Sequence, residues 1–431
     1  MFGLSEEFAR LECEGNRIQV AIIGVGQMGR ALVNQLYNMK GFQPAVIVEH
    51  TLSKVENALA AAGAKQDEYV VVSSLEQANE VTASGKIAIT TDDTIATACA
   101  TVQVVVDATG STEGAAKIAV RAIASKKHLI MMTVETDVVI GPLLQKKAKD
   151  AGVIFTGMAG DEPGAIIELY DFAKSMDMEV LVLGKGKNNE VNYEANPDSA
   201  ALEAKQKEMN PYMLACFQDC TKTMIELAAV SNATGFLPDC IGAHGVKATT
   251  ENMASIYTLK SQGGILNNYG VVDYVNGIAP GVFAIVTTPN EEMRKELKYL
   301  SMGNGPNYLL YRPYHLCSME IPITIGRLML YGKPSLAHKE GSPFAEVVAF
   351  AKRDLDEGEP LDKIGGYTVY GVICSHKEAK KLNALPVGLV NERTVMKKAI
   401  KKGEIITYNH VKLDKNSLLV QLRAEQDQLF S

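Results

Sequence analysis

Two clusters of residues have the types and spacing to do chemistry. The first is Gly24-Val25-Gly26-Gln27-Met28-Gly29, a G-x-G-x-x-G that follows the apolar run 18–23 and opens a helical pattern over 28–39. In that setting Gly24 allows a tight turn, Gly26 lets backbone approach a pyrophosphate, and Gly29 lets helix and strand pack closely. Gln27 and Met28 form the helix N-terminus, whose N–H groups face the negative charge. Glu49 ends the next apolar run and is placed to accept hydrogen bonds from an adenosine ribose. Its carboxylate repels a 2′-phosphate, which favours NAD; Ser53 and Lys54 keep NADP open. The alternative is a tight strand–helix turn that binds no nucleotide. The second cluster is Gly184-Lys185-Gly186-Lys187-Asn188-Asn189, just past a predicted strand over 179–183. Its glycines expose backbone, and Lys185 and Lys187 share a side if the strand continues. Two ammoniums there suit an anion, or acid–base work on a hydroxyl or carbonyl if burial lowers a pKa. Asn188 and Asn189 are placed to orient hydroxyls. The bland reading is a solvated basic turn.

Other residues join these two. Thr109, Gly110 and Ser111 follow the run 104–106, where a nicotinamide ribose lies in such domains. Glu135 ends the next strand in the same way, although Glu135 and Asp137 read equally as helix-capping charge. Asp161 and Glu162 precede Pro163 at a helix start, as caps or as partners of a substrate hydroxyl. Arg312, Tyr314 and His315 join an anion clamp, an aromatic ring and an imidazole around one turn. His244, in Gly242-Ala243-His244-Gly245, is a second loop histidine placed as a substrate contact. No G-x-S-x-G is present, and Cys317, two residues from His315, makes no convincing nucleophile pair. A divalent cation between Asp161, Glu162 and Glu135 lacks supporting histidine spacing, so no metal ligands are assigned.

The elements that must position these residues follow from periodicity. Short β-branched runs at 18–23, 45–48, 69–72, 87–90, 102–106, 129–133 and 153–155 alternate with helical patterns to about residue 157, which predicts a parallel sheet covered on both faces. Residues 1–16 open with a short amphipathic helix. Residues 158–340 read as an α+β segment for substrate binding and self-association, with helices over 164–175 and 213–230, a strand over 282–286, Gly- and Asn-rich connections, and a core segment over 325–330. Ser342 as cap, Pro343 in the first turn and the stripe Phe344, Val347, Val348 and Ala351 predict a helix over 341–355 returning to the nucleotide domain. Residues 356–431 read as a small β-rich module. Its repeat sets 352–361 against 397–407, each with Gly-Glu at a turn, and it ends in a tail over 417–430.

The 431 residues carry 43 Lys and Arg against 50 Asp and Glu, a net charge of −7. That balance, without a basic block, argues against nucleic acid or an anionic membrane as partner. No apolar run approaches the roughly 18 residues of a bilayer span. The acidic start Met1-Phe2-Gly3-Leu4-Ser5-Glu6-Glu7 predicts no secretory leader. Seven scattered cysteines without C-x-x-C fit reduced thiols. The expected location is the cytoplasm.

Val106-Asp107-Ala108-Thr109-Gly110, followed by Lys127-His128-Leu129-Ile130, resembles homoserine dehydrogenase. A branch of that superfamily with a C-terminal SAF domain is the nearer likeness: the deoxyxylulose-phosphate-reductoisomerase-like (DRL) enzymes and sugar-acid oxidoisomerases. The segments that carry it are Val134-Glu135-Thr136-Asp137, Ala159-Gly160-Asp161-Glu162-Pro163, Gly184 to Asn189, Asn232-Ala233-Thr234-Gly235, Arg312-Pro313-Tyr314-His315-Leu316 and the Gly-Glu repeat. The chain lacks the Asn-Gly-Thr-Thr-Asn loop of homoserine dehydrogenase and its spaced acidic ligands. The resemblance implies an α/β fold with an N-terminal Rossmann domain over 1–157, a substrate domain and a SAF-like C-terminus. It implies an NAD- or NADP-dependent oxidoreductase for a small anionic polyhydroxylated metabolite, a sugar acid or sugar phosphate, with isomerisation coupled to hydride transfer. Lys185 or Lys187 would handle the oxygen, and the protein would be a homo-oligomer. Homoserine dehydrogenase activity and a non-catalytic NAD(P)-sensing role are the alternatives.

Overall fold

The computed structural model describes residues 3–430, so Met1 and Phe2 of the expected N-terminal helix lie outside it. The described residues divide into two compact units: residues 3–161, 316–337 and 424–430, and residues 162–315 and 338–423.

In the first unit, β1 (Ile18–Ile23), β2 (Phe42–Val48), β3 (Tyr69–Val71), β4 (Ile87–Thr90), β5 (Val104–Asp107), β6 (His128–Met131) and β7 (Phe155–Gly157) form one parallel sheet in the order β3-β4-β2-β1-β5-β6-β7. The helix Leu4–Cys13 precedes β1, which lies at the centre of the sheet, and the strand order reverses between β1 and β5. That is the switch point at whose carboxyl edge ligands of open α/β sheets sit. Val104, Val105 and Val106 are fully buried, as both faces of a helix-covered sheet require. The last strand begins two residues later than its apolar run suggested.

The helix Val134–Ala151 contains Pro142. A proline there has no N–H and pushes away the preceding turn, opening the helical hydrogen-bond ladder. Gln426 repairs the opening: its Nε2 donates to Val139 O at 3.0 Å, and its Oε1 accepts from Leu143 N at 3.1 Å. One buried amide thus serves both peptide groups beside the proline.

The second unit holds a five-stranded sheet. Its strands are β8 (Glu179–Lys187), β9 (Val246–Lys247), β10 (Val271–Asn276), β11 (Val282–Thr287) and β12 (Asn307–Arg312), in the order β12-β11-β8-β10-β9. The central strand β8 runs through the expected Gly-rich connection to Lys187. The glycines mark close packing rather than a turn: a Cβ on Gly184 would lie 2.2 Å from Asp273 O, and one on Gly186 2.5 Å from Ala279 N. The single helix expected over 213–230 is two, Pro211–Gln218 and Thr221–Thr234, because Cys220 takes φ 72° between them. There Asp219 accepts the Thr221 N–H at 2.9 Å and pairs with Lys352 at 2.7 Å, both side chains buried.

The helix expected over 341–355 is not formed. Residues Ala345–Ala351 are strand β13, antiparallel to β14 (Val369–Ser375). A short apolar run fits both periods; here six of its seven residues are buried, and Val347-Val348 suits a pleated strand. Glu346, a solvent-facing position in the helical reading, is buried and paired with Arg423 at 2.7 Å and His376 at 2.9 Å. Burial opposes its charge, but these partners hold the carboxyl below the usual range.

The C-terminal repeat is real in three dimensions. Leu355 and Ile400 exchange N–H···O bonds of 3.0 and 2.9 Å across a local two-fold relation. Gly358 N donates to Met396 O, and at the equivalent position Gly403 N donates to Ala351 O. Glu359 and Glu404 accept from the Asp356 and Lys401 amides at 3.0 Å each. Strands β15 (Val395–Met396) and β16 (Val411–Lys412) complete the module, and the helix Leu418–Leu429 ends it. Among the described residues no helix is long and apolar enough to cross a membrane.

Gln426→Leu takes a buried acceptor from the Leu143 N–H and a donor from Val139 O, so urea unfolding should show a loss of about 1–3 kcal/mol. A loss under about 0.5 kcal/mol, the range of ordinary surface changes, would mean that the amide does not support the helix at Pro142.

Candidate active site

At the carboxyl edge of the first unit's sheet, Gly24 has φ +101°, and a Cβ there would sit 2.6 Å from Ala108 O. The turns after β1 and β5 therefore touch. A Cβ on Gly29 would fall 2.0 Å from Gly24 O, whereas one on Gly26 meets nothing within 4 Å. Gly26 starts the helix Gln27–Asn38 and no side chain caps it. Met28 is exposed. Glu49 accepts the Val25 N–H at 2.9 Å through Oε2, with Lys54 3.6 Å from Oε1. Burial opposes the charge of Glu49, yet the Val25 amide and Lys54 keep its carboxyl below the usual range.

Beside this turn, Asp107 is fully buried. It accepts the hydroxyls of Thr109 at 2.7 Å and Thr133 at 2.6 Å, and burial pushes its pKa up. Thr109 is thereby fixed at the strand end, Gly110 follows with φ +64°, and Ser111 caps the next helix through Gly114 N at 3.2 Å. Glu135 lies in the first turn of Val134–Ala151. The open Gly26 face, the uncapped helix end and the Glu49 carboxylate fit a dinucleotide: backbone N–H groups for the pyrophosphate, an acceptor for the ribose.

In the second unit, β8 presents Lys185 and Lys187 on one face, both buried; they are not a solvated turn. Lys185 Nζ lies 2.5 Å from Glu162 Oε1 and in contact with Glu226 Oε2. Glu162 is the first residue of the helix Glu162–Ser175, and Glu226 projects from Thr221–Thr234. His315 Nε2 is 3.4 Å from the same Glu162 Oε1. Burial opposes the Lys185 charge, but Glu162 and Glu226 hold its proton above the usual lysine range. Burial, followed by the charge of Glu162, pushes Glu226 up to about 7 against the pull of Lys185 and Lys222. Lys187 donates to Phe217 O at 2.7 Å, and burial lowers its pKa. Two lysines on one face thus have opposite acid strengths.

Arg312, at the end of β12, is held by Glu168 at 2.7 Å, with its guanidinium carbon 4.8 Å from the Tyr314 ring centre. Asn188 and Asn189 follow β8 and line a polar cleft of about 390 Å³ with Glu190, Asn192, Ser199 and Gln218. His244 belongs to another network: its Nε2 meets Asp239 at 2.9 Å, and its backbone N–H meets Asp273 at 3.1 Å. Asp161 is buried in the turn before the helix Glu162–Ser175. The fold therefore joins Glu162, Lys185 and His315, and sets His244, Asn188 and Asn189 apart from them. Sequence reasoning missed Glu226 and Glu168. Glu226 had a visible signal, a lone carboxylate inside the apolar stretch 224–230, since acids are rarely buried unless paired.

Residues 160–321 match the family model described as "Oxidoreductase DRL, catalytic domain". No curated protein matches the chain. Among solved structures, a probable dehydrogenase from Thermotoga maritima aligns at 13% identity over 74% of this chain and 91% of that one, TM-score 0.42. Scyllo-inositol dehydrogenase from Lactobacillus casei, with bound NAD(H) and scyllo-inositol, aligns at 11% identity over 75% of this chain and 92% of that one, TM-score 0.41.

Two glycines separate fold from ligand. Gly29→Ala forces a Cβ into the Gly24 carbonyl and should lower stability by about 1–3 kcal/mol. Gly26→Ala has room, so its melting temperature should stay within a degree or two while NAD(H) affinity, read by nicotinamide fluorescence, falls at least about tenfold. Unchanged affinity in Gly26→Ala would remove the pyrophosphate assignment. The raised pKa of Glu226 makes a second prediction. Stability from a carboxyl that keeps its proton when folded is complete below its ordinary pKa of 4.5 and is lost as pH rises through about 7. Wild type should therefore lose stability relative to Glu226→Gln across that interval. Parallel stability curves for the two proteins would count against a protonated Glu226.

Proposed function

We propose that this chain is an NAD(P)-dependent oxidoreductase acting on a CH–OH group of a small anionic polyhydroxylated metabolite, a sugar acid or sugar phosphate. The observation that carries this reading is Lys185, buried between Glu162 and Glu226 within the segment that matches an oxidoreductase catalytic domain. Gly24, Gly26, Gly29 and Glu49 would hold the dinucleotide, whose nicotinamide supplies hydride acceptance or return when bound. NAD is favoured over NADP by the Glu49 carboxylate. Lys185 holds a proton at the substrate oxygen, donating it when a carbonyl is reduced and receiving it when an alcohol is oxidised. Arg312, braced by Glu168, is assigned to the substrate's anionic group, and Lys187 to one of its hydroxyls. The paired C-terminal repeats are read as the SAF-like module, and the setting as cytoplasmic. Isomerisation coupled to hydride transfer rests on the resemblance alone.

The test is a panel of sugar acids and sugar phosphates, with homoserine included, offered with NAD⁺ or NADP⁺ and followed by reduced-nicotinamide absorbance. With a turned-over substrate, Lys185→Ala should cut kcat by about 10²–10⁴-fold and leave cofactor Kd unchanged. Activity within about tenfold of wild type would overturn the assignment of Lys185, and turnover of homoserine alone would overturn the substrate class.

A further inference from the structure

We infer that Glu226, Lys185, Glu162 and His315 form a proton relay joining the substrate oxygen at Lys185 to solvent at His315. The inference rests on the proposed oxidoreductase reading, because such a reaction releases or takes up one proton per turnover in a buried site.

The four groups meet in sequence. Glu226 Oε2 contacts Lys185 Nζ, which lies 2.5 Å from Glu162 Oε1, and the same oxygen is 3.4 Å from His315 Nε2. Side-chain exposure is 2% at Glu226 and 8% at Lys185 against 13% at Glu162 and 14% at His315, so Glu226 and Lys185 are the inner pair and Glu162 and His315 the outer. Three elements and one turn supply the groups: β8, the helices Glu162–Ser175 and Thr221–Thr234, and the segment after β12.

Charge explains why a proton is mobile here. Glu162 and Glu226 flank one ammonium, and Asp161 has a carboxylate oxygen within 4.8 Å of theirs; carboxylates thus outnumber the ammonium in a dry setting, and such a cluster binds a further proton near neutrality. Glu226, pushed up to about 7, holds that proton below this pH and stands ready as a carboxylate to accept one above it. Lys185 by itself is a poor base, because its flanking carboxylates keep it an ammonium. It becomes competent by passing an ammonium proton to Glu226 as it receives one from substrate.

In the oxidation direction, starting from ionised Glu226, the substrate O–H bond breaks and its proton goes to Lys185 Nζ. One Lys185 N–H breaks, and its proton goes to the Glu226 carboxylate. The C–H electron pair leaves as hydride to the oxidised nicotinamide, and a C=O bond forms. Carbonyl product, reduced nicotinamide and a neutral Glu226 remain. The stored proton then returns through Lys185 and Glu162 to His315 and out to water. Reduction runs the same path inward. Glu226 is a positioning and storage residue; only Lys185 touches the reacting oxygen.

Two measurements test the relay, one of which needs no substrate. Infrared spectra of the ligand-free protein should show a protonated-carboxyl band that titrates near neutral pH and is missing in Glu226→Gln. On transfer to D₂O the band should exchange at least about tenfold more slowly in His315→Ala than in wild type, with the melting temperature unchanged. With substrate, His315→Ala should lose about tenfold or more in kcat, with cofactor Kd intact, and regain it in added imidazole. No titrating band, or equal exchange rates in the two proteins, overturns the relay and leaves the oxidoreductase reading standing. Normal band behaviour without turnover on any substrate overturns the oxidoreductase reading instead.

Discussion

The candidate site of the second unit is organised around one costly arrangement, an ammonium buried between two carboxylates. Removing charges from water costs several kcal/mol per ion, and only close, well-aligned partners offset it. Lys185, Glu162 and Glu226 come from a central strand and two helices. Each element must therefore keep its register, or a buried charge loses its counterpart. The strand is held from both sides. β10 pairs with it in parallel and β11 in antiparallel fashion, and Gly184 and Gly186 admit neighbouring backbone where any Cβ would collide. The two glycines let the sheet close tightly enough for the lysine beside them to be dry.

The first unit solves a different problem with backbone. It leaves a helix N-terminus uncapped and a glycine face open, so that partial positive charge is available without any cationic side chain. Asp107 supports the arrangement from beneath by fixing Thr109 and Thr133 at the ends of two adjacent strands. In both units a buried carboxyl organises its surroundings: in one it orders hydroxyls, in the other it pairs with a lysine.

Much of this was legible from residue order alone, and the failures have physical causes. The strand–turn–helix at Gly24–Gly29 was readable because the motif encodes local geometry. The run 345–351 was misread because a short apolar stretch satisfies both helical and strand periods, and only pairing with Val369–Ser375 decides between them. The Gly184–Lys187 segment was misread as a connection because glycine signals both turns and close approach, and the second meaning requires knowing what approaches. The helix over 213–230 was read through Asp219 because its buried partner, Lys352, lies far along the chain.

The sequence by itself determined the alternation of strands and helices, the Gly24–Gly29 turn and the C-terminal repeat, and it put Lys185, Glu162 and His315 among the candidate site residues. Each of these is a matter of local pattern. Tertiary structure alone decided that those three meet, that Glu226 completes them, and that Lys185 and Lys187 differ in acid strength. A pKa depends on burial and on charges a few ångströms away, and the nearest charges to Lys185 come from residues 162 and 226, which only the fold brings together.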